Sequence, residues 1–142
     1  MSAASEALAA VGGVVGGLAD AMRAGRLPEW RAEIRRAAHV ASRVQRFRSS
    51  INQSKRLDER AERADVRAAG YSGAAAASSG LEAATYRRRE RRLMRIAERL
   101  RWRAMELRVT AEGCREALLD LGEEDAVARL DAWADEIGRG HP

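Results

Sequence analysis

Apolar residues recur along this chain at steps of three and four, the spacing of one helix face, and nowhere alternate as a strand requires. From Trp30 the rhythm passes through Ile34, Ala37, Ala41, Val44, Phe47, Ile51, Leu57, Ala61, Ala64 and Ala68, with Ser54 in register. Pro28 suits a first helical position and Gly70 suits a left-handed cap at the far end. The pattern predicts an arm over residues 28–69, about 60 Å long at 1.5 Å per residue. Its stripe shrinks from Trp, Ile and Phe to alanine, which implies close approach of a neighbouring helix near residues 61–68.

A second stripe follows an almost strict heptad through Tyr86, Leu93, Ala97, Leu100, Ala104, Leu107, Ala111, Cys114, Leu118 and Leu121, and stops at Gly122. It predicts an arm over 81–121. Between the arms lies GYSGAAAASSG, residues 70–80, where Gly70, Gly73 and Gly80 permit backbone angles closed to other residues. Ser79 and Glu82 have the spacing of a capping box. Two long arms joined by a short loop fold back as a helical hairpin. A third helix, about 123–137, carries Val127, Leu130, Trp133, Ala134 and Ile137 on one face, and Gly138 ends it. The expected fold is all-α. It comprises a glycine-rich apolar segment (1–27), a long two-helix hairpin with its joint at 70–80 (28–122), and a short acidic C-terminal helix and tail (123–142).

Composition points to assembly. The 142 residues hold three Trp, two Tyr and one Phe, too few aromatics for a large globular core. Trp102, Met94, Met105 and Val109 form a further apolar line beside the heptad. Val44, Phe47, Leu93, Leu100, Trp102 and Leu107 together exceed what one hairpin covers, and are expected to pack copies side by side in a homo-oligomer, in a ring or tube.

Charge is segregated. Residues 23–111 hold 23 of the 26 basic side chains and 10 of the 21 acidic ones, whereas residues 112–142 hold three Arg against nine Asp and Glu. A positive middle and a negative end fit either a polyanion or contact between copies. RRRERR, residues 87–92, is the densest run; Arg87, Arg88, Arg89, Arg91 and Arg92 surround the helix, so some must face away from the hairpin partner. They are candidates for contact with DNA phosphate, without sequence preference, or with Glu123, Glu124 and Asp125 of a neighbour.

Catalytic patterns are missing. His39 and His141 lie far apart with no ligand cluster, so no metal site and no cofactor are assigned, and Cys114 sits in an apolar stripe as a small core residue. The chain has no paired-carboxylate, Ser-His or phosphate-loop arrangement, and it is not expected to be an enzyme. At the amino terminus, Ala7 to Ala19 is uncharged but too short to span a bilayer comfortably, and Glu6 precedes it without Lys or Arg. Gly12, Gly13, Gly16 and Gly17 form overlapping small-xxx-small pairs suited to close helix packing in protein or lipid. A packed helix or flexible tail, and a segment that enters a membrane, both remain open.

The glycine-rich start, the long Ala/Arg/Glu helix and RAERADVRAAGYSGAAAASSGLEAATYRRR resemble the internal virion, or DNA ejection, proteins of short-tailed bacteriophages. The matching residues are Ala68, Ala69, Gly70, Ala76, Ala77, Ser78, Ser79, Gly80 and Leu81, and the likeness covers about residues 8–95. The resemblance implies a structural protein stored in the virion interior near the portal, in contact with portal or other internal proteins. It would be released with the genome and used to build a conduit through the host envelope. No catalytic residue is carried over. A pilot protein of a single-stranded DNA phage would share the helices and the apolar start, and a collar or scaffold component would share the stripes without leaving with the genome. A sequence-independent DNA-binding coiled coil would share the charge without needing the glycines.

Overall fold

The computed structural model describes residue 13, residues 16–18 and residues 20–140. Gly12, most of the uncharged amino-terminal segment and His141 lie outside the described residues. Every element among the described residues is an α-helix, and the three long ones are α1 (Leu27–Ala76), α2 (Gly80–Asp120) and α3 (Glu124–Gly138). The first two form the hairpin, about 75 Å and about 60 Å long at 1.5 Å per residue. The accessible surface is 10260 Å² for 15.6 kDa, against about 7,200 Å² for a compact monomer of that mass, so the chain is elongated.

The joint is much shorter than the glycines suggest. The first arm does not stop at Gly70; α1 continues through Gly70 and Gly73 to Ala76, and only Ala77–Ser79 interrupts the helices. The reason is tertiary. The three-four rhythm carries on through half-buried Tyr71 and buried Ala75, so this turn gains contacts against α2 that offset the low helix propensity of glycine. Tyr71 stacks on Tyr86 across the hairpin, ring centroids 6.1 Å apart. The chain turns at Gly80, whose φ of +60° is the left-handed conformation glycine tolerates. Ser79 is the N-cap but makes no side-chain cap bond, and the Glu82 carboxylate accepts from the Tyr86 hydroxyl at 3.3 Å, so the expected capping box does not form.

Alanine sets the hairpin's spacing. Ala97, Ala104 and Ala111, seven residues apart on α2, are sealed from solvent, and Ala61 and Ala64 of α1 pack with Ala97 between half-buried Leu93 and Leu100. Alanine at these positions permits the close end of the usual axis separation of about 8–10 Å. Ala61, Ala64 and Ala68 are buried in the stretch where the sequence predicts a neighbouring helix. At the open end the core thickens: Phe47, Ala111, Cys114 and Leu118 meet Val127 and Leu130 of α3, with Val44 and Trp133 packed against them.

Glycine ends α2 as the sequence predicts. Gly122 has φ +74°, the Glu123 amide donates to the Leu118 carbonyl at 3.0 Å, and the Gly122 amide donates to Leu119 at 2.9 Å. This pair of bonds satisfies the last carbonyls of α2 and aims α3 back across the hairpin's open end.

Candidate assembly surface

Three arginines spaced seven apart on α2 close one edge of the hairpin. Arg101 pairs with Asp65 and Arg108 with Asp58 of α1, while Arg115 reaches Asp131 of α3 at 2.9 Å. The partner acids Asp58 and Asp65 are also one heptad apart, running in the opposite direction, so the two bridges record one antiparallel register. Each is solvent-exposed and contributes little stability by itself, at most about 1 kcal/mol. The hydrogen bonds that Arg115 donates to Asp131, and the charge of that carboxylate, hold the Arg115 guanidinium above its ordinary pKa. From α1, Arg36 donates to the Leu121 carbonyl at 2.7 Å and Lys55 to the Ile137 carbonyl at 2.8 Å, placing cations on the negative ends of α2 and α3.

The arginine run divides. Arg89, though exposed, reaches across the hairpin, its guanidinium carbon 5.7 Å from the centre of the Tyr71 ring. Arg88 donates to the Thr85 hydroxyl at 3.4 Å, within its own helix. Arg87, Arg91 and Arg92 are exposed and make no ion pair among the described residues. Of the tail acids weighed as their partners, Glu123 is held within the chain by Arg36 at 3.2 Å. Glu124 and Asp125 lie at the opposite end of α2 from the run, some 30 residues or about 50 Å away, so only another copy brings the two together.

The apolar residues expected to join copies also divide. Val44 and Phe47 belong to the core at the open end, Leu93 and Leu100 pack on the alanine layers, and Leu107 is half-buried beside α1. The hairpin itself engages these five, burying Phe47 and half-burying Val44, Leu93, Leu100 and Leu107. Trp102 is the exception, 63 % exposed, and it stands in line with Met105 and Val109 on the side of α2 turned away from α1. Leu81, 85 % exposed beside the joint, and Val66, 73 % exposed on α1, were missed by the stripe analysis because each falls between the periodic positions.

Gly13, Gly16 and Gly17 find no tight partner among the described residues. Gly13 and Gly16 face open space, and a Cβ on Gly17 would meet only the Trp30 ring at ordinary contact distance. A shallow groove of about 470 Å³ between α1 and α2 is lined by polar side chains such as Gln45, Ser49 and Thr110. No cluster of His, Cys, Asp or Glu suited to a metal occurs among the described residues, and none of their helices is long and apolar enough to cross a membrane.

The hairpin thus presents on its outer side an apolar line and arginines that make no ion pair among the described residues. Compared with known proteins, the chain matches no family model, no curated protein and no solved structure.

Proposed function

We propose that the chain is a non-enzymatic structural protein of a bacteriophage particle, stored in the virion near the portal and released with the genome to help build a conduit for DNA through the host envelope. The observation that carries the reading is the outward side of α2. Trp102, Met105 and Val109 remain exposed after the hairpin has satisfied its own interior, so the surface is suited to copies of itself or to other internal proteins. Arg87, Arg91 and Arg92 are available to phosphate while the protein lies beside packed DNA, in a manner indifferent to base sequence.

The core supports passage through a narrow channel. Among the described residues, Leu118 and Leu130 are the only large side chains that are fully buried, and the rest of the sealed interior is mostly alanine, so little packing is lost when the helices separate. The glycine-rich segment at the amino terminus is the part suited to lipid after release, with or without assembly of several copies.

The test is the protein content of particles before and after DNA release. The reading requires the chain in full virions and its loss from emptied ones. Retention in emptied particles supports a collar component, and absence from mature particles supports a scaffold; either overturns release with the genome.

A further inference from the structure

We infer that the outward face of α2 is a self-complementary docking surface that pairs two copies of this chain antiparallel, about a two-fold axis between Met105 and Glu106. The pairing does not depend on the virion reading, and its failure would leave that reading to be decided by particle content alone.

With Ala97, Ala104 and Ala111 facing α1, the residues on the far side of the helix in the half toward the joint include Arg88, Arg91, Arg92, Arg95 and Arg99, with Glu98 the one acid among them. In the other half the same side carries Glu106, Glu112, Glu116 and Asp120 and no basic residue. All of these side chains are exposed. Between the two halves sit Trp102, Met105 and Val109, exposed by 63 %, 42 % and 67 %. The face is thus a positive block, an apolar centre and a negative block in a row.

Such a face is complementary to itself in one orientation only. Turned end for end about the point between Met105 and Glu106, Trp102 meets Val109, Arg99 meets Glu112, Arg95 meets Glu116 and Arg91 meets Asp120. Each of these pairs appears twice, as a two-fold contact demands. A parallel pairing would set Arg91 against Arg91 and Glu116 against Glu116, which opposes association. Duplex DNA suits the arginine half and is repelled by the acidic half, so it covers the face incompletely. Glu106 accepts from Arg103 of its own helix at 2.7 Å and lies opposite Met105 in this pairing, whereas the three acids that face arginines are little committed: Glu112 touches Arg115 at 3.8 Å and its side chain stays 60 % exposed, and Glu116 and Asp120 make no ion pair among the described residues. Charge fixes the register, and burial of the Trp102 line supplies most of the affinity.

Single cysteines introduced on the full chain, joined by a short bis-maleimide, test this directly; native Cys114 is buried and the unaltered chain serves as the blank. Met105→Cys should cross-link to its own mate. Arg91→Cys alone should not, because antiparallel mates at that position lie about 40 Å apart along the axis at 1.5 Å per residue, but mixing it with Asp120→Cys should give the heterodimer. Arg95→Glu or Glu116→Arg, added singly to Met105→Cys, should lower the dimer constant at least about tenfold. The two together in one chain should restore it, with helix content unchanged throughout. Self-cross-linking of Arg91→Cys, no cross-link at Met105→Cys, or failure of the double reversal to restore the yield would each overturn the pairing.

Discussion

Arg115 grips the carboxylate of Asp131 with both arms of its guanidinium, Nε to Oδ1 at 3.0 Å and Nη2 to Oδ2 at 2.9 Å. The pair ties α3 to α2 sixteen residues away, beside the cluster that holds Phe47, Leu118 and Leu130. Two parallel bonds fix the angle of the short helix as well as its distance. Asp131→Asn removes the charge and one of the two acceptors, so α3 should fray first. Amide hydrogen exchange should show lost protection across residues 124–138 with the hairpin near Ala97 unaffected. Uniform loss along the chain would mean that the open end and the joint end unfold as one unit.

Glycine at Gly70 and glycine at Gly80 should answer alanine with opposite signs. Gly70 lies inside α1 with open space where a Cβ would go, so Gly70→Ala should stabilise by about 1 kcal/mol through helix propensity. Gly80 and Gly122 have φ of +60° and +74°, and alanine there should cost about 1–2 kcal/mol despite equally open space. Denaturant midpoints at constant slope measure the difference. Destabilisation by Gly70→Ala would return the break to the place the glycines first suggest.

Ala97 is wholly buried against Ala61 and Ala64. Ala97→Leu adds three carbons to this alanine contact, and should cost about 1–3 kcal/mol by overpacking. Thermal unfolding gives the number, and a neutral result would mean that the two helices stand farther apart than the alanine layers imply.

The stripes made the hairpin legible because apolar periodicity is local, and both arms, their polarity and the glycine stop at Gly122 can be read from it. The joint was misplaced because glycine propensity was weighed without the partner helix: Tyr71 and Ala75 extend the same rhythm, and their contacts on α2 outweigh Gly70 and Gly73. Which arginines reach across the hairpin was not legible either. Arg89 over Tyr71, and the pairs Arg101–Asp65 and Arg108–Asp58, depend on the antiparallel register, which the run of charges alone does not contain. The two sets of seven-residue spacings, acids in α1 and arginines in α2, were the signal available for it. How far one partner helix covers Val44, Phe47, Leu93, Leu100 and Leu107 was not legible for the same reason, since the number of residues in a stripe does not say how many one partner covers.

The account depends on the hairpin associating through its outward face, and sedimentation of the full chain across the micromolar range measures this most directly. The account predicts a mass above the 15.6 kDa monomer that rises with concentration, and a return to monomer for Trp102→Glu with its helix content intact. A wild-type chain that stays at 15.6 kDa throughout, or a Trp102→Glu chain that assembles as well as the wild type, would contradict it.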